Sequence, residues 1–522
     1  MESEPIVADV LVVGGGVAGC TAAIQLARAG VKVVLVTMLP DPMESNTGWA
    51  QGGIVARGPA DSSELLEQDI LDAGDGLCNP DAVRVLAEEG PPLVQKFLIE
   101  ELGAEFSQTE EGELDFTREG AHSRRRIVHA TDATGHEIQE KLLHGLSQTN
   151  VTVLLNHTGV DLLTLPHHAV DPLGVYRPRV CVGMYVLNNE TGLTRSIIAR
   201  TTVLATGGLG QIFLHTTNPK GARGDGIAMA HRAGADIINA EYVQFHPTAF
   251  YARGANRFLI SESVRGEGAR LKTAAGREFM QSYDSRGDLA PRDIVARAIH
   301  EEMLRNGDQY VLLDLHSYAN FDIPARFPTI HSTCLRFGVD MTKDPIPVVP
   351  AAHYFCGGVK VDLWGRTTLP GLYAAGEVSC TGLHGANRLA STSLLEGLVW
   401  GDRAAQHIIS SQSVAPEVHP SDVRTWRDAD LERESDPALV AQDWVTIRST
   451  MWNYAGIVRT RRRLDRAAAD LEYLAHRTEQ FYRQTRLNDG ILGLRNGLEV
   501  SRLIVEAARL NRVSRGCHFR KD

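Results

Sequence analysis

The chain is poor in cysteine. Its seven, Cys20, Cys78, Cys181, Cys334, Cys356, Cys380 and Cys517, are scattered singly through 522 residues with no C-x-x-C pair. That spacing signals neither a zinc site nor an iron–sulfur cluster, so no metal is expected, and it reads as reduced thiols of a cytoplasmic protein, not as a disulfide frame. Long apolar runs are missing too: none reaches the ~18 residues that a membrane-crossing helix needs. The acidic start, MESEPIVADV, passes at once into a strand pattern, which is expected to leave no room for a signal or transit peptide. Positive charge is in deficit, with 53 Lys and Arg against 64 Asp and Glu and a net charge of −11. That balance argues against a general nucleic-acid or anionic-membrane binder and for a small-molecule partner. Internal repeats and low-complexity segments are absent.

What is present is ample apolar material, 43% of the chain, enough for about three domains without staples. The most organised stretch is ADVLVVGGGVAG, 8–19. Four apolar residues, Val10 to Val13, form a strand covered on both faces and run into Gly14, Gly16 and Gly19 at the G-x-G-x-x-G spacing of a dinucleotide-binding turn. Gly14 suits the tight turn, Gly16 lets backbone N–H groups near a pyrophosphate, and Gly19 lets the helix expected at 17–29 pack on the strand. Gly15, Val17 and Ala18 complete the turn, whose N–H groups and helix dipole favour phosphate. A second strand, 33–36, ends in Thr37 where a standard NAD site has an acid. The loop ESNTGWAQGG, 44–53, combines small and polar residues suited to lie against a ligand.

Helical patterns follow at 63–72 and 81–103, then a basic stretch, TREGAHSRRR. Its Arg124, Arg125 and Arg126 read as a solvated or ion-paired face, and Arg459, Arg461, Arg462 and Arg463 near the end as decorating an exposed helix face. Strands resume at 151–155 and 201–205, the latter ending in Thr206, Gly207 and Gly208. Gly224, Asp225 and Gly226 open a helix at 227–233, where Asp225 either faces the same crevice or caps the helix. From about 240 to 354 the chain is rich in His, Arg and aromatics and reads as an insertion. Within it Pro291 sits in the first turn of a helix, 291–306, that places Arg292 at its N-terminus and is closed by Gly307. The chain returns through GLYAAGE, 371–377, crosses a Pro- and Ser-containing linker at 410–422, and ends in amphipathic helices around 464–474 and 492–510.

Reactive groups concentrate at Glu119, His246, Arg292, His353 and Arg388. Several cations beside a bound cofactor suggest a site for a small dianion, since Arg forks match carboxylates and His can donate to them. Ten ordered segments, GGGVAG, ESNTGWAQGG, TREGAHSRRR, ATGG, GDGIAMAHRAGA, QFHPTA, LAPRDIVAR, PAAHYFCGG, GLYAAGEV and GLHGANRLASTSLLE, make the chain similar to the L-aspartate oxidases within the succinate dehydrogenase and fumarate reductase flavoprotein family, from about residue 9 to 519.

The resemblance implies FAD in place of NAD. It also implies an α/β fold: a Rossmann-like FAD-binding domain (1–239 and 355–415), an inserted α+β capping domain (240–354) and a C-terminal helical domain (416–522). Carried over by position, it puts the ADP of FAD on Gly14, Gly15, Gly16, Val17, Ala18 and Gly19, with the ribose near Thr37 and Met38. A lysine can stand in relatives where this chain has Met38. The flavin and its phosphates would lie against Asn46, Thr47, Gly48, Trp49, Ala50, Gln51, Gly52, Gly53, Asp225, Glu377, Ser393 and Leu394. The substrate dicarboxylate would meet His246, Ser261, His353, Arg388 and Ser391, with Arg292 as the proton-transferring arginine and Glu119 as the acid that meets the amine. Relatives in respiratory complexes link FAD covalently to a histidine where this chain has Asn46, so FAD is expected to be held non-covalently.

The activity implied is oxidation of L-aspartate to iminosuccinate, with electrons passed to dioxygen or fumarate. The product would feed quinolinate synthase, the implied partner, in NAD biosynthesis. The nearest alternative is a soluble fumarate reductase, against which Glu119 speaks. A flavin subunit that mainly docks an iron–sulfur protein is opposed by Asn46 and the Glu119 and Arg292 pair. An NAD dehydrogenase is opposed by Thr37 and by the lack of a second dinucleotide turn.

Overall fold

The computed structural model describes residues 4–252, 258–411, 418–427 and 434–522. Positions 412–417 of the expected linker, and with them the expected boundary at 415, lie outside the described residues.

The central sheet has seven strands: β1 (Ile6–Val13), β2 (Val33–Val36), β3 (Thr152–Leu154), β4 (His157–Leu165), β5 (Val180–Asn188), β6 (Thr194–Leu204) and β7 (Leu372–Ala374), in the order β3-β2-β1-β6-β5-β4 with β7 also on β6. The pairs β3–β2, β2–β1, β1–β6 and β6–β7 are parallel, and β4 and β5 add an antiparallel edge. Register sets where the strands end: Val13 lies level with Val36 and Leu204, and Leu204 with Ala374. Four neighbouring strands therefore stop on one line, and their turns open into one crevice at the carboxyl edge, where α/β sheets bind ligands.

The apolar run of β1 is explained by helices on both faces. Val10 and Val12 join a core with α1 (Val17–Arg28), while Leu11 and Val13 join another with α2 (Asp225–Ala233). A smaller antiparallel sheet, Val243–Phe250, Ile346–Phe355, Val311–Asp314 and Arg270–Lys272 in that order, carries the inserted segment. Its apolar core is drawn wholly from residues between Phe250 and Val348 and includes α3 (Arg292–Asn306). Helix α4 (Ser393–Ser410) packs beside α1. The helices α5 (Pro437–Ala455), α6 (Arg461–Gln484) and α7 (Asp489–Leu510) close the second face of the sheet together with α2. No helix among the described residues is long and apolar enough to cross a membrane.

Local departures from the sequence expectations have local causes. The helix expected at 81–103 is an α-helix only over Pro80–Leu93 and widens to a π-helix over Val94–Glu101, because Pro91 and Pro92 lack the N–H groups that would continue the α ladder. Helix α2 begins at Asp225, two residues early, and α3 begins at Arg292 with Pro291 as its cap. Strand β6 starts at Thr194, seven residues before the expected run.

Candidate active site

The turns after β1, β2, β6 and β7 line a cleft of about 1790 Å³, counting its open mouth. Two glycines are obligatory in the first turn. Gly14 has φ +113° and a Cβ there would stand 2.1 Å from the Ala205 carbonyl oxygen, while a Cβ on Gly19 would stand 2.0 Å from that of Gly14. These are the tight turn and the close helix–strand approach that the spacing implied. Gly15, Gly16, Val17 and Ala18 line the cleft beside them. Thr47 accepts from the Val17 N–H at 3.0 Å, so the 44–53 loop is tied to the start of α1.

Asn46, Trp49, Ala50, Gln51, Gly52 and Gly53 also line the cleft. Gly48 does not: a Cβ on it would meet the Met43 carbonyl oxygen at 2.3 Å, and its N–H donates to Ser45 Oγ at 3.0 Å, so it shapes the loop. Thr37 and Met38 line the far end, Ser393 and Leu394 the start of α4. The cap position of α2 is taken by Gly224, and Asp225 stands in the first turn. It lines the cleft with its oxygens engaged by Arg223 at 2.9 Å and by Asn496 of α7 at 2.8 Å.

Do these residues fit FAD? Asn46 Oδ1, Gln51 Oε1 and Thr206 Oγ1 are buried with no hydrogen-bond partner among the described residues, and all three residues line the cleft. Buried polar atoms are costly unless a ligand answers them. Glu377 accepts from Asn46 Nδ2 at 2.7 Å and from the Phe355 N–H at 3.0 Å, and burial pushes its carboxyl up to about 7. A turn built for phosphates, orphaned polar atoms and a carboxylate able to take a hydroxyl or ring N–H suit a flavin dinucleotide.

At the other end the insertion meets the sheet. Alternation along Val243–Phe250 puts Gln244 and His246 on one face. Opposite, Gln244 pairs with Tyr354 and Phe245 with Ala352, so His353 is the extra residue of a β-bulge. The bulge turns His353 towards His246, the ring centroids 5.1 Å apart. His246 Nδ1 accepts the Thr248 N–H at 3.2 Å, which leaves the proton on Nε2. Thr217 Oγ1 lies 2.9 Å from His353 Nδ1. Burial, reinforced by Arg292 and Arg388, holds both imidazoles well below their usual range, so both are neutral.

Arg388 is buried on the 381–391 loop, its Nη1 donating to Ser393 Oγ at 3.1 Å, and burial pulls it down to about 10. It remains a cation near neutrality. At the start of α3, Arg292 Nε donates to Glu262 Oε2 at 2.5 Å and its Nη1 to Gln244 Oε1 at 3.4 Å. Glu262 is held down at about 2, chiefly by Arg292 and Arg265 against its burial. Ser261 caps the short helix that carries Glu262.

Glu119 accepts from Ser391 Oγ at 2.7 Å, and Ser391 adopts φ +56° to offer it. Burial raises the Glu119 carboxyl, against the pull of Arg292. His122 Nε2 on the same loop bonds the Ala390 carbonyl at 2.9 Å, pinning the two turns together. Glu119, His246, Ser261, Arg292, His353, Arg388 and Ser391 thus face one end of one cleft.

Sequence reasoning passed over Gln244, Glu262, Tyr354 and Thr217. Period-two spacing from His246 was the signal for Gln244, and adjacency to Ser261 the signal for Glu262. Two charge runs need correction. Arg126 is ion-paired, as expected of its run, but on no face: it is fully buried, bonded to Asp61 at 2.8 Å and Asp69 at 2.5 Å, and so anchors the Glu119 loop. Arg459 is likewise buried, donating to the Glu241 carbonyl at 2.7 Å.

The chain matches two family descriptions, FAD binding domain over residues 9–394 and fumarate reductase flavoprotein C-term over 445–522. It is 46% identical to an L-aspartate oxidase 1 of Ralstonia nicotianae, the match covering 98% of this chain and 95% of the relative. It is 44% identical, with the same coverage of both, to an L-aspartate oxidase of Pseudomonas aeruginosa. Among solved structures, a mutant E. coli quinol fumarate reductase superposes with TM-score 0.89 at 29% identity, covering 100% of this chain and 92% of that one. Mycobacterium smegmatis Sdh1 in complex with UQ1 superposes with TM-score 0.81 at 30% identity, covering 99% and 89%. With a relative of that identity along almost the whole chain, and with a cleft whose turns and orphaned polar atoms suit a flavin, the protein belongs to the L-aspartate oxidase family of FAD-dependent flavoenzymes.

Proposed function

We propose that the protein oxidises L-aspartate to iminosuccinate in the cytoplasm, passing electrons to fumarate or dioxygen, and that quinolinate synthase takes the product in the quinolinate branch of NAD biosynthesis. The observation that carries the reading is a buried carboxylate, Glu119, that no arginine or lysine hydrogen-bonds among the described residues, unlike Glu262, and that faces the same cleft end as Arg292, Arg388, His246 and His353. Two arginines and two neutral, donating imidazoles suit the two carboxylates of the substrate. A carboxylate in their midst suits its ammonium.

FAD, when bound on 14–19, 46–53 and Glu377, supplies the acceptor for the hydride that leaves Cα. The chain's own groups do the rest. Arg388 and His246 Nε2–H grip one carboxylate, and His353 with Ser261 the other, which fixes the Cα–H direction and removes the entropy cost of orientation. Arg292 adds a cation and an N–H donor at the reacting carbons. Glu119 meets the ammonium and takes its proton as the C=N bond forms; burial raises the affinity of this carboxyl for that proton, which makes it a better base than an exposed carboxylate.

The likeness to fumarate reductases favours a second activity at the same site, reduction of fumarate, in which the amine-facing carboxylate has no part. The test is stoichiometry. Incubated anaerobically with L-aspartate and fumarate, the enzyme should yield ammonium, oxaloacetate (from hydrolysis of the imine) and succinate in equal amounts. Fumarate reduction with an artificial donor, alongside no ammonium from aspartate, would replace the reading with the fumarate reductase one.

A further inference from the structure

The guanidinium of Arg388 has little to fix its plane. One nitrogen donates to Ser393 Oγ, and Nε is buried with no partner among the described residues. What it does have is an aromatic shelf: it lies over the Tyr354 ring, 4.6 Å from the centroid. A flat fork must present two N–H groups in one plane to take a carboxylate in bidentate fashion, and a ring face beneath it sets such a plane.

The shelf is itself held. Tyr354 Oη donates to Glu396 Oε2 at 2.7 Å, and Glu396, buried in the first turn of α4, also accepts from Thr381 Oγ1 at 2.7 Å and from His384 Nε2 at 2.9 Å. Neither arginine nor lysine is among these three donors. His384 Nδ1 is buried without a partner among the described residues, and its Nε2 also lies 3.1 Å from Tyr354 Oη. The carboxylate is thus buried and met by a phenol, a hydroxyl and an imidazole with no arginine or lysine beside it, an expensive arrangement where apolar residues of similar volume would fill the space at less cost. A phenol donating to an anion becomes richer in electrons, and polarised hydrogen bonds strengthen one another in a dry interior. The ring face then holds a cation more firmly.

We propose that Glu396, acting through Tyr354, is a positioning residue that fixes the plane of Arg388 for the substrate dicarboxylate. This rests on the proposed grip of Arg388 on a substrate carboxylate. Burial and the neighbouring Glu396 raise the Tyr354 phenol well above its usual range, which keeps it a donor at every working pH.

The experiment is a double-mutant cycle on FAD-loaded enzyme, reading the Kd of fumarate from its perturbation of the oxidised flavin spectrum. Arg388→Lys, Glu396→Gln and Tyr354→Phe should each weaken fumarate binding about tenfold, as expected for one charge-assisted contact. Placed in the Arg388→Lys background, Glu396→Gln and Tyr354→Phe should change Kd by less than about twofold, because the group they position is gone. Equal effects in both backgrounds, or no effect of either substitution in the parent, would overturn the positioning role. Unchanged binding by Arg388→Lys itself would instead remove Arg388 from the substrate clamp, and the two failures are told apart on the same preparations. If Glu396→Gln does not fold, Tyr354→Phe, which removes one hydroxyl and keeps the ring, decides alone.

Discussion

Replacing Glu119 by glutamine should separate the two reactions this site could run. The amide keeps size and shape and can still accept from Ser391 Oγ, the bond now 2.7 Å long, so the turn that holds both residues should survive. What goes is a buried charge. If it faces the substrate ammonium, aspartate oxidation loses on the order of 1.5–3 kcal/mol, the range for a hydrogen bond to a charged group, or roughly 10- to 150-fold in kcat/KM. Fumarate offers no ammonium, and a negative charge near a dianion disfavours its binding, so its reduction should be spared or improved. The pH profile adds an independent sign. Burial raises the Glu119 carboxyl, so aspartate oxidation should fall as pH drops through that raised value, and the acid limb should flatten in Glu119→Gln. Steady-state rates for both substrates on one preparation decide the matter. Equal losses in the two reactions would mean that Glu119 only holds its loop.

Neighbouring groups carry further expectations. Asn46 cannot form the histidyl link to a flavin, so acid precipitation should leave the colour in the supernatant; a yellow washed pellet would contradict this. Arg292→Leu should cut turnover on the order of 100-fold or more while visible flavin absorbance is retained, because Arg292 stands on α3 and outside every cofactor turn; near-normal turnover would remove it from the mechanism. His246 and His353 are neutral because burial and two arginines hold them down, and a bound dianion raises them again. Dicarboxylate binding should therefore take up protons and tighten as pH falls below the ordinary imidazole range. His353→Gln should lessen that slope, and a fumarate Kd that is flat with pH would refute it.

The parts legible in the sequence are those whose physics is local. The run Val10 to Val13 into Gly14, Gly16 and Gly19 specified strand, turn and helix because its spacing is local: Gly14 takes φ +113° and Gly19 clears the Gly14 carbonyl, although the carbonyl that Gly14 itself clears, that of Ala205, lies across the turn on the β6 side. Helix ends at Gly30 and Gly307 were legible for the same reason, both glycines having positive φ. What could not be read depended on distant partners. Arg126 looks like surface charge beside Arg124 and Arg125 until Asp61 and Asp69 close on it. The bulge that turns His353 towards His246 is a matter of register between two strands some hundred residues apart in the chain. The cluster of Tyr354, Thr381, His384 and Glu396 likewise emerges only when the inserted sheet is laid against α4. Of the seven residues facing the substrate end, Glu119, His246, Arg292, His353 and Arg388 stood out by residue type and Ser261 and Ser391 by family resemblance, but what sets the protonation of the two imidazoles, burial against neighbouring arginines, is a property of the packed chain.

The central claim is that L-aspartate is oxidised at this flavin site, and anaerobic mixing tests it most directly. FAD-loaded protein combined with L-aspartate in the absence of oxygen should lose its visible flavin absorbance, and fumarate added afterwards should restore it. A spectrum left oxidised by saturating L-aspartate, in protein whose flavin a chemical reductant can still bleach, would contradict the claim.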